Sequence, residues 1–247
     1  MNAFDIAQTL SPWTIAFAAL VIVTGSIVQS GLGMGFGLMV APLLALIDPV
    51  LVPAPTLFLG MFTATWGAWA DRGIIRWGEV ATASAGRFAG VAAGLLLLFW
   101  ISGAAGFSLL FGIMVLVAVL LSVAGRALPF NRLSLLSMGA ISGVMGTITS
   151  VGAPPLALIY HGRSPAASRA TLAAFFAVGC AGSLAGLYAS GLAGERDIYI
   201  ALAMAPPMVF GLWLAHRFRL GFARWYRPWL LAVSGAAGLL LIVRGLS

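Results

Sequence analysis

The sequence predicts an all-α polytopic membrane protein made of two inverted-topology repeats, each a glycine-rich re-entrant or short helical hairpin plus three transmembrane helices. Composition is the first reason. Of 247 residues, 62% are hydrophobic and 8% charged, against about 25% charged in a soluble domain, and no aqueous fold buries so much apolar surface. Run length is the second: Trp13 to Val28, Val50 to Ala70, Val80 to Trp100 and Phe107 to Ala124 approach or reach the roughly 20 residues of a spanning helix. They lack the strict alternation of an outer-membrane barrel. The third is an internal repeat at an offset of 112 residues. Ser30 to Ile47 reads SGLGMGFGLMVAPLLALI and Ser142 to Ile159 reads SGVMGTITSVGAPPLALI, with eight identities in eighteen positions. The shared Ser-Gly and Ala-Pro pairs point to duplication.

The repeats divide one membrane domain into residues 1–125 and 126–247. In the first half an interrupted apolar stretch precedes helices expected over about Val50 to Ala70, Val80 to Trp100 and Gly103 to Ala124. The second half repeats the pattern, with helices over about Ala167 to Leu192, Ile198 to His216 and Pro228 to Val243. Ahead of the first apolar run stands Asp5 and no positive charge, unlike a cleaved signal peptide.

All thirteen basic residues are arginine, the acidic ones number six, and most arginines fall in short loops between apolar runs. That placement reads as membrane orientation and excludes a nucleic-acid partner. Arg72 and Arg76, Arg126 and Arg132, Arg163 and Arg169, and the group Arg217, Arg219, Arg224 and Arg227 mark cytoplasmic loops. Ser102 and the Gly194 to Asp197 segment then fall outside, and both termini are periplasmic in an inner-membrane, multi-pass topology. Asn131 and Gly162 are both cytoplasmic, so the stretch between them crosses zero or two times. With arms of about seventeen and thirteen residues, or roughly 25 and 20 Å at 1.5 Å per residue, each hairpin is too short for the ~30 Å hydrocarbon core.

A glycine tip at membrane depth must be buried in protein or line a wet cavity. Gly31, Gly33, Gly35 and Gly37 permit close backbone approach. Short helices starting near Phe36 and Ile148 would point unpaired N–H groups into that space, which suits an anion. Pro42 and Pro154 would free the carbonyls of Leu38 and Ser150. Gln29, Ser30, Ser142, Thr147 and Thr149, with Gly143 and Gly146, complete the candidate substrate-binding set at the tips. The competing reading is that these glycines pack helices and these hydroxyls satisfy their own backbone.

Arg87 is the other candidate, about two turns inside its helix. It must face a partner, face a cavity or snorkel to the cytoplasmic surface; in a cavity its planar fork suits an oxyanion. On the same helix Gly86, Gly90 and Gly94 form a small-residue strip that fits helix packing. No Asp or Glu lies inside an apolar run, which argues against a carboxylate relay for cations. His161 ends the second hairpin and reads as structural, with a coupling role the lesser alternative. Cys180 reads as a packed thiol. One cysteine, two histidines and few acids assemble no convincing metal site, and neither a cofactor nor enzymatic activity is expected. The balance favours a small anionic substrate, with membrane lipid as surroundings and a homo-oligomer left open.

The paired motifs SGLGMGFGLMVAPLLALI and GAISGVMGTITSVGAPPLALI, with the loop ADRGIIRWGEV between apolar helices, resemble the TauE/SafE family of sulfite and organosulfonate exporters over almost the entire chain. The resemblance implies export of a small sulfur-containing anion such as sulfite, sulfoacetate or a related sulfonate. One departure is Gly152-Ala153-Pro154, where a Gly-Gly-Pro pattern is the family expectation. Another small-anion carrier or channel, or a non-transporting membrane scaffold, is the alternative.

Overall fold

Ser11 accepts from Thr14 N–H through its hydroxyl at 3.2 Å, and Pro12 follows it. An N-cap hydroxyl with proline at the first helical position is a strong helix start, and here it opens the membrane bundle. The computed structural model describes residues 11–32, 34–101, 103–123, 128–218 and 226–246. Among them run ten α-helices: α1 (Pro12–Leu32), α2 (Phe36–Ile47), α3 (Ala54–Ala70), α4 (Trp77–Trp100), α5 (Gly103–Val123), α6 (Arg132–Thr149), α7 (Ala153–Tyr160), α8 (Pro165–Ala189), α9 (Glu195–Phe218) and α10 (Tyr226–Leu246). Seven are long and apolar enough to cross a membrane, namely α1, α3, α4, α5, α8, α9 and α10. The three-helix groups expected after each hairpin are present within a few residues.

The hairpins differ from expectation in detail. The first arm, α1, has 21 residues rather than seventeen, or ~31 Å, because Ser11-Pro12 starts it early and it continues through Gly31. By length and composition it is able to cross. The second arms are shorter, at 12 and 8 residues. A short helix does begin at Phe36, but none begins at Ile148, which lies in the last turn of α6. There Ser150 turns left-handed, at φ 63°, and α7 starts at Ala153 instead. Pro154 accordingly stands in the first turn of α7, where its missing N–H costs no bond, and does not free the Ser150 carbonyl. Pro42 lies inside α2, and the Leu38 carbonyl one turn back accepts from the Ser234 hydroxyl of α10 at 2.7 Å.

Helix pairing follows the repeat. Its correspondence relates α1–α5 to α6–α10 in order. Under it, α4 packed on α6 matches α9 packed on α1, α4 on α8 matches α9 on α3, and α2 on α10 matches α7 on α5. The α3–α8 and α5–α10 pairs map onto themselves. The tightest of these seams, between α4 and α6, is built by backbone approach. A Cβ at Gly86 or Gly90 would strike the carbonyl oxygen of Leu136 or Ala140, and one at Gly139 or Gly143 that of Ala83 or Arg87. The strip on α4 is therefore a packing surface, as its spacing predicts.

Three loops expected on one side do gather at one end. Arg169 pairs with Asp71 at 2.7 Å, Arg163 with Glu79 at 3.4 Å, and Leu128 N–H donates to Leu158 O at 3.1 Å. The α6–α7 hairpin thus starts and finishes at the same end of the molecule. Trp13, Trp66, Trp69, Trp77, Trp100, Trp213 and Trp229 are all exposed and stand near helix ends, the pattern of indole anchors at a lipid interface.

Candidate functional site

Arg87 is 1% exposed and belongs to the largest fully buried side chains of the protein. It does not snorkel. Its Nη1 donates to Ser142 Oγ on α6 at 2.7 Å, and Ser142 Oγ donates onward to Gly152 O at 2.6 Å. The guanidinium stands 5.1 Å from the Phe175 ring and 5.9 Å from the Phe176 ring of α8. Such contacts favour a desolvated cation by about 0.5 to 2 kcal/mol each. No carboxylate pairs with it among the described residues, and its Nε–H has no hydrogen-bond partner. A buried charge left in that state is costly unless something anionic compensates it.

Three glycines make room for this side chain. A Cβ at Gly179 would collide with Arg87 Nε, one at Gly152 would stand 2.7 Å from Nη1, and one at Gly146 would stand 2.8 Å from Nη2. The guanidinium thus occupies the crevice where α4, the α6–α7 tip and α8 meet. The tip reaches it by folding back. Between Thr149 and Ala153 the chain reverses, so Gly152 lies beside Ser142, about two helical turns before the end of α6.

The two hairpin tips touch each other. A Cβ at Gly37, in the first turn of α2, would strike the Ser150 carbonyl oxygen. Ser150 Oγ also donates to Pro53 O at 3.0 Å. Of the candidate residues, Arg87, Ser142 and Gly146 come together directly. Gly143 packs against the Arg87 backbone. Thr147 and Ser183 hydroxyls pair at 2.9 Å, while Thr149 donates to Met145 O and accepts from Val151 N–H. Gln29 Oε1 accepts from Phe36 N–H at 3.2 Å and so caps α2. Ser30 is exposed and Gly31 lies in the last turn of α1; Gly33 lies outside the described residues.

Sequence reasoning overlooked Gly152, Gly179, Phe175 and Phe176. The spacing Gly179, Gly182 and Gly186 on one helix face was the available signal for α8. The two phenylalanines had none, since aromatic residues in apolar runs are ordinary.

A cavity of about 590 Å³ opens nearby. Tyr160, His161, Arg163 and Arg169 line one part of it, and Met34, Gly35 and Leu38 of the first tip another. Ala153 and Pro154 also line it, so the first turn of α7 separates this space from the Gly152–Ser142–Arg87 chain. At its charged end Glu79 accepts from Tyr160 Oη at 2.8 Å and pairs with Arg76 at 3.2 Å. Burial first, and the Glu79 carboxylate second, push the Tyr160 phenol well above its usual range, so it remains a donor.

Long apolar helices with exposed indoles at their ends, enclosing an arginine that lacks an acidic partner, define a polytopic helical membrane protein with a buried cationic crevice. The family model described as sulfite exporter TauE/SafE matches residues 17–241, and the chain belongs to that family. Comparisons with curated proteins and with solved structures find no match.

Proposed function

We propose that the protein is a secondary transporter of the inner membrane that exports a small sulfur-containing oxyanion, sulfite or an organosulfonate, by alternating access. The observation that carries this reading is Arg87, buried, without a carboxylate and with Nε–H unpartnered at the second hairpin tip. The buried cation calls for an anion, and family membership names the class of cargo. The touching tips support a shared site between the halves, with Ser142 and the Arg87 fork as its polar wall and the 590 Å³ cavity as the approach from the Arg163 and Arg169 end. The repeat-related helix pairing supports halves of inverted topology that rock against each other, with both termini periplasmic. Catalysis is not part of this reading: no carboxylate pairs with Arg87 and no group of metal-binding side chains is found among the described residues.

The test is a binding panel of sulfite, sulfoacetate, taurine, sulfate and simple carboxylates against purified protein, followed by flux in liposomes. Sulfite or a sulfonate should bind, and Arg87→Lys should weaken it, because lysine keeps the charge and loses the planar fork. Binding by Arg87→Lys equal to the parent would remove the direct contact. For topology, cysteine placed at Gly194 should react with an impermeant thiol reagent from outside and cysteine at Asn131 should not; the reverse labelling would overturn the orientation.

A further inference from the structure

Ser84 is 5% exposed and its hydroxyl has no hydrogen-bond partner. Among the described residues, Ser84 Oγ and Arg87 Nε are the two buried side-chain polar atoms in that state. Buried hydroxyls elsewhere in the bundle donate to the carbonyl one turn back, as Ser26 does to Ile22 and Thr149 to Met145. That route is open to any helical serine, and Ser84 does not take it. Unpaired buried polar groups are rare enough to mark a missing water or ion.

Helical spacing sets Ser84 on the stripe of α4 that carries Arg87, Phe88, Val91 and Leu95. That stripe meets α8. Gly179 lies against Arg87, Gly182 against Phe88, and Gly186 against Val91 and Leu95, while further down Arg76 N–H donates to Thr171 Oγ1. The two helices therefore run parallel in register, and Ser84 falls at the level of Phe175 and Phe176. Those rings already hold the Arg87 guanidinium, because a long side chain on a helix leans toward the helix N-terminus. The two unpaired donors therefore stand about one helical turn apart on the stripe of α4 that meets α8.

We propose that Ser84 is a second substrate-binding residue: its hydroxyl donates to one oxygen of a sulfite or sulfonate head while Arg87 Nε–H donates to another. This deepens the anion reading of Arg87 and rests on it. A hydroxyl and a guanidinium N–H from one rigid helix fix the orientation of the head, and the phenyl walls exclude the water that would compete.

The experiment is calorimetric titration of sulfite, and in parallel methanesulfonate, into the full-length protein in lipid nanodiscs, with melting temperatures taken with and without each anion. Ser84→Ala should weaken binding about tenfold or more, the scale of a hydrogen bond to a charged group. The anion-free variant should melt at the parent temperature or above, because an unpaired buried hydroxyl has been removed. Parent-like binding by Ser84→Ala overturns the proposal. A lowered anion-free melting temperature with unchanged binding overturns it too, and assigns Ser84 to a structural water. Loss of binding in Arg87→Lys alone defeats the Ser84 assignment and leaves the anion reading standing. If the parent binds neither anion, or Arg87→Lys binds like the parent, the anion reading itself fails.

Discussion

The α4–α6 pair and its counterpart, α9 on α1, use the same packing device and differ in what it encloses. In both, glycine lets one helix press on the backbone of another: Gly86 and Gly90 on α6, and Gly211 within 2.5 Å of the Val23 carbonyl oxygen, measured to the Cβ it lacks. In the first pair a buried arginine interrupts the seam and reaches Ser142. In the second, α9 carries no arginine between Arg196 and Arg217. Its partner α1 contributes Gln29, whose carbonyl closes the N-terminus of α2. The contact geometry, which small residues fix, is common to the two pairs, while a buried charge stands in one of them. A buried cation is costly, so the one against the second tip is the asymmetry on which the proposed anion site rests.

The largest expected effect breaks the shared part of the comparison. Gly90→Val drives a branched side chain into the Ala140 carbonyl, which backbone cannot yield to, and should cost about 3 kcal/mol or more. Monodisperse folded protein should be lost on size exclusion. Gly211→Val should do comparable damage in the other pair, and Gly73→Ala, with nothing near its added carbon, should melt like the parent. If Gly211→Val is harmless, the two seams are not equivalent.

Next in size is the element that distinguishes the halves. Arg87→Ala should reduce anion binding by about 2 to 5 kcal/mol, the range for truncating one member of a buried, hydrogen-bonded charge pair, in protein that still inserts. Equal binding by titration calorimetry would move the site away from α4. In the other half, Gln29→Leu removes the cap on α2 and should lower stability by about 0.5 to 2 kcal/mol, read as a melting shift. The smallest effect is expected at the loop end that both hairpin and bundle share. Asp71→Asn cuts a partly exposed pair with Arg169 and should cost no more than about 1 kcal/mol, less still at high salt.

Much of this molecule was legible in the chain because membrane helices announce themselves by length and apolarity, and loop arginines by position. The three helices after each hairpin, the helix start at Phe36 and the packing role of Gly86, Gly90 and Gly94 could all be read from spacing. Pro42 could also be read: a proline inside a helix must release the carbonyl one turn back, and Leu38 O is indeed taken by Ser234. The sequence did not reveal where α7 begins. Ser150 is a non-glycine residue in the left-handed region, a conformation disfavoured locally by about 1 to 2 kcal/mol and held here by Pro53 and Gly37, residues some hundred positions away.

The site divides along the same line. Arg87 could be singled out from sequence because an ion inside an apolar run is rare by its cost, a property of one residue and its neighbours. Whether it snorkelled or turned inward depended on Gly152 and Gly179 leaving space and on Phe175, Phe176 and Ser142 surrounding the guanidinium. Those groups belong to other helices, and no period along the chain encodes their meeting. Ser84 shows the limit most plainly: in sequence it is one more helical serine able to bond its own backbone, and only the packed bundle leaves its hydroxyl, like Arg87 Nε–H, without a partner among the described residues.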